Sequence, residues 1–336
     1  MTSLQRAETR DAVNPRLSIV MSVYNNADSL SRSLGSLLDQ TFTDFELIVI
    51  NDGSTDRSAA MLDELAARDA RLRLIHQANA GLTRALITGC ALARGVYIAR
   101  HDADDVSEPT RMALQVAALD AEPELAMLSC RSRALGPGGE VLFEHGGETD
   151  AATATELMLN HRKGPSHHGS VMFRAAAYRQ VGGYREAFYY AQDADLWLRL
   201  GEVGGFRFLP ETLYTYRISP YSISLARREI QRQFGVIGQR ARKARARGES
   251  DSAQLQEALL LRAQVLAQSN APADDRRAHA NGHYFVGAGL QRQGRWRSTL
   301  YFARAIRAWP RHGRAWLRLL ATPLLVLWSH LAGGRR

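Results

Sequence analysis

Apolar positions in the first hundred residues follow two rhythms. Near-continuous runs at Leu17–Tyr24 (LSIVMSVY), Phe45–Ile50 (FELIVI), Leu72–Ile75 and Val96–Ala99 read as strands covered on both faces. Between them the apolar residues recur at helical spacing. Leu30, Leu34, Leu37 and Leu38 mark a helix over Ser29–Gln40, and Met61, Leu62 and Leu65 mark a second. Leu82, Ala85, Leu86 and Gly89 mark a third, opened by Gly81. Strands alternating with helices of this length predict a mainly parallel sheet with helices on both faces. Ligands of such sheets sit beyond the carboxyl ends of the strands. Tyr24, Asp52 and Asp102–Asp105 lie just past three of those ends, so three loops converge on one edge.

Beyond Pro109 the pattern loosens. Thr110–Leu119 predicts a helix. Leu125–Leu135 and Val141–Phe143 predict strands around the Gly136–Gly139 turn. Ser170–Phe173, Phe206–Leu209 and Leu213–Arg217 read as further strands, and Asp193–Gly201 as a helix with carboxylates in its first turn. From Leu225 strand patterns thin out while arginine and alanine rise, with a polar break at Asn270–Asp275 and a helix pair over His283–Pro310. One such pair cannot bury its own face, so it is expected to pack on the preceding domain or on a membrane. The expected organisation is a polar tail over 1–16, an α/β domain over 17–224 and a helical extension over 225–336.

The formal net charge of +9 suits a phosphorylated ligand, an anionic membrane surface or nucleic acid, and does not choose among them. Cys90 and Cys130 are the only cysteines, which excludes a disulfide framework and reads as two small core residues. The first sixteen residues lack the apolar stretch of a signal peptide, so the expected location is cytoplasmic. Ala315–Leu331 (AWLRLLATPLLVLWSHL) is interrupted by Arg318 and Pro323, short of the roughly 20 apolar residues of a membrane span. Two readings stand: a helix in the inner membrane interface, anchored by Trp316 and Trp328 and flanked by Arg311, Arg314, Arg335 and Arg336, or a terminal helix packed on its own domain.

Four places are candidates for chemistry. Asp102-Ala103-Asp104-Asp105 presents alternating carboxylates after a strand, the hard oxygen ligands that Mg2+ or Mn2+ takes beside substrate phosphates. The alternative is a solvated acidic turn. Asp52, in Asn-Asp-Gly-Ser, is either an ordinary turn residue or an acceptor for a nucleotide base or ribose, with Tyr24 as a ring wall. Asp193 and Asp195 open a helix, where carboxylates favourably meet the dipole; alternatively one of them is the general base a sugar hydroxyl needs. His167 and His168 follow a Gly-Pro turn and are core or surface residues, or acceptor contacts.

Taken in order, LSIVMSVYNNADSLSRSLGSLLDQTFTDFELIVINDGSTD, GLTRALITGCALARGVYIARHDADD, SEPTRMALQ, HHGSVMFRAAAYRQVGGYREAF and AQDADLWLRL resemble the family 2 glycosyltransferases of the GT-A fold. The likeness runs from about Leu17 to Ser224. It implies an inverting single displacement, with a donor pocket at Ser22, Tyr24 and Asp52. It implies that Asp102 and Asp104 hold the ribose, the diphosphate and Mn2+ or Mg2+, Asp104 more directly, and that Asp193 is the base while Asp195 fixes the helix start. Arg84 and Arg217 are candidate diphosphate contacts, and His168 or Arg217 could meet the acceptor. By the resemblance the donor is a UDP-sugar by default, with dTDP and GDP sugars open. The interface helix and the basic tail lead to the expectation of a glycan or lipid-linked, membrane-proximal glycan acceptor, as in cell-surface polysaccharide or glycolipid synthesis.

Two departures stand out. Gln192 replaces a frequent glutamate, removing one charge beside Asp193, and Ile87 stands where many relatives carry asparagine. The multi-span region and QxxRW-type motif of processive members are missing from these residues, which implies one sugar per encounter. Three rivals remain: an inactive nucleotide-sugar-binding scaffold, a nucleotidyltransferase, and a nucleic-acid binder. The intact aspartates count against the first. A missing phosphate loop over residues 17–30 counts against the second. The third predicts steep salt dependence and is not expected.

Overall fold

The computed structural model describes residues 14–165, 167–218, 228–268 and 276–333, with side chains up to Pro323. Most of the polar tail, the expected boundary at residue 224, and Trp328, Arg335 and Arg336 as anchors lie outside what it describes.

Strands β1 (Leu17–Val23), β2 (Phe45–Asp52), β3 (Leu72–Gln77) and β4 (Tyr97–Asp102) form a parallel block in the order β3-β2-β1-β4. Helices α1 (Ala27–Leu38), α2 (Ser58–Ala66) and α3 (Leu82–Ala91) connect them. Alternation along β1 divides the core. Leu17, Ile19 and Met21 face Leu30, Leu34 and Leu37 of α1 on one side of the sheet. Val20 joins Leu86 and Cys90 of α3 on the other. The register matters for function. Ser22 of β1 pairs with Asp102 of β4, and Asp52 of β2 with Gln77 of β3, so the carboxyl ends finish on one edge.

The second half is mixed, as its looser pattern predicts. The two-residue β5 (Val106–Ser107) and α4 (Arg111–Ala121) precede the long β6 (Leu125–Leu135), which turns into β7 (Val141–His145). Then come α5 (Ala151–His161), β8 (Met172–Arg174), α6 (Ala175–Gln180), α7 (Gln192–Val203) and β9 (Gly205–Arg217). β8 runs antiparallel between β4 and β6, and β9 lies parallel to β6. The two strands expected after residue 205 are one. Leu209 pairs with Cys130 and Thr212 with Arg131, so Pro210 and Glu211 bulge out of the ladder and the strand passes through the apparent break.

Helices α5 and α6 carry little apolar signal. Only Ala154 and Met158 of α5 are buried, and Asp150 caps it by accepting from the Thr153 N–H at 2.8 Å.

Helices α8 (Arg228–Ala246) and α9 (Ser252–Gln268) pack beside α7. Phe234, Ile237 and Ala258 meet Ala187 and Phe188 of the segment leading into α7. Helices α10 (Arg276–Arg292) and α11 (Ser298–Ala308) form the expected pair, resting on β7 through Val286, Leu290, Tyr301 and Leu142. The last helix, α12 (Gly313–Gly333), lies along α10, where Gln291 Nε2 donates to Thr322 Oγ1 at 2.8 Å. Cys90 and Cys130 are free and buried. No helix among the described residues is long and apolar enough to cross a membrane.

Candidate active site

β4 ends in a charge that the core holds in place. Strand alternation puts Arg100 and Asp102 on one face and His101 on the other. Arg100 is 2% exposed, and its Nη2 donates to Asp102 Oδ1 at 2.6 Å. Burial pushes the Asp102 carboxyl up; the Arg100 guanidinium outweighs this and holds it below the usual aspartate range. On the far face His101 is sealed among Ser33, Ser107 and Arg111. Burial, then the charge of Arg111, pushes it down to about 3, so it is a neutral core residue.

The turn after Asp102 is tied at both ends. β5 pairs with β9, setting Ser107 opposite Tyr214. Tyr214 is fully buried; its hydroxyl donates to Asp105 Oδ2 at 2.6 Å and accepts the Asp102 N–H at 3.3 Å. Asp105 is thereby an internal anchor, its pKa well above the ordinary value through burial and the charges of Asp102 and Asp104. Asp104 is exposed, and no other described residue donates a hydrogen bond to its carboxylate. Its pKa is raised by the surrounding protein and then by Asp102. Gly169 closes this corner. A Cβ there would stand 1.7 Å from Tyr214 Oη and 2.8 Å from Asp102 Oδ2, so only glycine permits the approach.

Asp193 enters from α7. The residue before Gln192, Ala191, sits at φ 55°, a left-handed conformation unfavourable for alanine. That twist starts the helix so that Asp193 shares the neighbourhood of Asp102 and Arg100. Its pKa is raised, by burial first and by Asp102 in addition, against the opposing Arg100. Asp193 is therefore a stronger base than a free aspartate, although Gln192 lacks the negative charge that a glutamate there would add to that effect. Asp195, one step on, is a structural pivot: Arg185 grips it through Nε at 3.0 Å and through Nη2, and Arg199 through Nη2 at 2.7 Å. His168 completes the floor, its Nε2 2.6 Å from Tyr184 Oη and its ring edge-on to Trp197. Burial and the Arg100 charge push it down to about 3.

The donor-side candidates divide. Ser22 lies beside Asp102 in the ladder, and Tyr24 is 49% exposed just beyond β1. Asp52 is 2% exposed; its carboxylate accepts from Gln77 Nε2 at 2.7 Å and from the Ala80 and Gly81 N–H groups, each at 2.9 Å. It shapes the loop entering α3, and Oδ2 keeps one acceptor position. Arg84 pairs with Glu186 at 2.8 Å on the surface. Arg217 ends β9, where its backbone N–H lowers the pKa of Asp105.

The structure thus gathers Asp102, Asp104, Asp193 and His168 around Arg100, with Ser22 adjacent. Asp52 and Arg84 lie at the neighbouring loop and helix start. Sequence reasoning missed Arg100, Gly169 and Tyr214. The signal for Arg100 was present, a charge two residues before Asp102 within an apolar strand. Tyr214 had none, its partner Asp105 being 109 residues away.

The acidic turn fits a divalent cation. Asp104 offers a carboxylate unclaimed by other residues, and Asp102 keeps Oδ2 clear of Arg100. Their mutual repulsion is what a cation relieves. No group of three or more protein ligands exists among the described residues, so such an ion would draw on phosphate oxygens and water.

Comparison with known proteins gives the family and the fold. The sequence model described as "Glycosyl transferase family 2" matches residues 18–182. The putative glycosyltransferase EpsE of Bacillus subtilis is 35% identical over 211 residues, 60% of this chain and 73% of that protein. The chain also matches the hyaluronan and chondroitin synthases of Pasteurella multocida, spanning 23% and 24% of their lengths. The fold matches Staphylococcus aureus TarS residues 1–349 in complex with UDP-GlcNAc at a TM-score of 0.54, with 14% identity, covering 95% of this chain and 92% of that one. It matches mannosyltransferase PcManGT of Pyrobaculum calidifontis, in complex with GDP-Man and Mn2+, at 0.53, with 17% identity, covering 95% and 88%.

Proposed function

This chain belongs to glycosyl transferase family 2, and we propose that it transfers one sugar from a nucleotide diphosphate sugar to an acceptor hydroxyl with inversion. The donor is a UDP-sugar and the acceptor a glycan or lipid-linked glycan of a cell-surface polysaccharide or glycolipid. The observation that carries this reading is Asp193. Its basicity is raised by burial, and it lies within electrostatic reach of the Asp102–Asp104 turn at the carboxyl edge of the parallel strands.

In this reading Tyr24 walls the base, and the free position on Asp52 Oδ2 meets it. Ser22 and Asp102 hold the ribose side of the donor. Mn2+ or Mg2+ at Asp104 and Asp102 would supply charge neutralisation for the departing nucleoside diphosphate. Arg84 turns from Glu186 to the diphosphate, and Arg217 meets diphosphate or acceptor. Asp193 takes the proton from the acceptor hydroxyl as its oxygen attacks the anomeric carbon from the face opposite the leaving group. His168, neutral, orients that acceptor. One displacement inverts the anomeric centre.

The test is a panel of UDP-, GDP- and dTDP-sugars with Mn2+, Mg2+ or EDTA, read by nucleotide release and calorimetry. Metal-dependent release from one donor is expected, with an inverted product by NMR. No nucleotide binding across the panel would overturn the reading and leave an inactive scaffold.

A further inference from the structure

We propose that helices α10–α12 form a docking surface for an anionic phospholipid bilayer. This goes beyond the transfer reaction and does not depend on it.

Charge is the first observation. Residues 276–336 contain 12 arginines and no lysine, aspartate or glutamate, whereas the other 275 residues have a net charge of −3. The basic character of the chain is therefore confined to its last helices. In α8 most described arginines are neutralised locally, Arg232 by Glu229, Arg240 by Glu257 and Arg245 by Glu202. Arg292, Arg295, Arg297, Arg307, Arg311 and Arg314 are all exposed, and none has a carboxylate within ion-pair distance among the described residues.

The second observation is that α12 is turned inside out. Its inward side is small and polar: Ala315 and Thr322 are buried, and Arg318 Nη1 donates to Gln291 Oε1 at 2.8 Å. Its outward side is apolar, with Trp316 at 47%, Leu317 at 70% and Leu320 at 72% exposure. The sequence continues with Leu324, Leu327 and Leu331 at the same helical spacing. Trp296 and Leu300 of the α10–α11 connection and α11 are also about half exposed. A helix stabilised only by packing would place these residues inward. Outward leucines beside a tryptophan, ringed by unpaired arginines, match the two halves of an interface: acyl boundary and phosphate headgroups. Nucleic acid would reward the arginines but gain nothing from Leu317 and Leu320.

The experiment is flotation of the full chain with vesicles of phosphatidylcholine alone or with one quarter phosphatidylglycerol, at low and physiological salt. Binding is expected only to the anionic vesicles, weakening with salt. The L317E/L320E variant alters residues too exposed to matter for folding and should bind at least about tenfold more weakly. R311E/R314E should lose the preference for phosphatidylglycerol. Nucleotide release in the absence of vesicles should be unchanged in both, which separates this proposal from the transferase reading. Wild-type protein that ignores anionic vesicles, leucine variants that float like wild type, or tight salt-sensitive binding to single-stranded DNA that those variants keep would each overturn it.

Discussion

Arg185 spans two carboxylates, holding Asp195 with Nε and Nη2 while its Nη1 donates to Asp251 at 2.7 Å. Asp195 opens α7 and Asp251 immediately precedes α9, so one guanidinium joins the helix carrying the proposed base to the helical extension. Arg245 continues the chain, from Asp251 at 2.6 Å to Glu202 at the other end of α7. Asp195 is 2% exposed, which places it where an uncompensated charge is costly.

Replacing Arg185 with Met is expected to destabilise the fold by about 3 kcal/mol, because Asp195 keeps only Arg199. Asp251→Asn should cost about 1 kcal/mol, since Asp195 keeps both arginines. In both, kcat should fall more than the donor KM rises, because Asp193 moves while the nucleotide pocket stays. Denaturant titration and steady-state kinetics decide. A normal kcat in Arg185→Met would mean that α7 is positioned without the extension.

Gly169 is expected to tolerate no side chain. Alanine would force the Tyr214 ring away from Asp102 and Asp105, an overpacking cost of about 1–3 kcal/mol with loss of donor binding. Tyr214→Phe removes the hydroxyl, the nearer of the atoms the new Cβ would strike, and leaves the ring carbon Cζ at 2.5 Å, so it relieves the clash in part. The Gly169→Ala/Tyr214→Phe pair should therefore lose less stability than the two single changes together. Strict additivity in a double-mutant cycle would show that the clash is relieved elsewhere.

These cases show what sequence can and cannot carry. The parallel block was legible because β1, β2 and the first half of β4 are near-continuous apolar runs, and α1 and α3 have one-sided stripes. The aspartates were legible because each ends a strand or opens a helix. The support was not, because it is long-range. Tyr214 meets Asp105 across 109 residues, and Asp251 meets Arg185 across 66. Neither has periodicity to mark it. Pro210 misled in the ordinary way, by announcing a strand end that a bulge absorbs.

The acid limb of activity should report Asp193. A base works only when deprotonated, and burial with the Asp102 charge raises its pKa. So kcat/KM should rise with pH through a midpoint above the ordinary aspartate value of about 3.9. Linkage gives the matching stability effect. A carboxyl with a raised folded pKa favours the folded state below its unfolded value and loses that contribution as pH rises through the folded one. Asp193→Asn should therefore be more stable than wild type at neutral pH, with the advantage vanishing in acid. It should keep donor affinity while transfer falls by about two to four orders of magnitude. Weakened donor binding in that variant would falsify the base assignment.

Asp104 allows a test in which one substitution moves two measurements in opposite directions. Its carboxylate is held near Asp102 with no other residue donating to it, so in metal-free protein each charge destabilises the other. Asp104→Asn relieves that repulsion and should raise Tm in EDTA, more at neutral pH than in acid, where the carboxyls are protonated anyway. Mn2+ acts by mass action on the folded state, and at a hundredfold excess over its Kd a single site adds about 2.7 kcal/mol. Wild type should show that gain, and Asp104→Asn should lose it together with tight donor binding. A structural carboxylate would behave otherwise. Its removal would lower Tm in EDTA and leave the response to Mn2+ intact, and the ion would then have to be sought away from the β4–β5 turn.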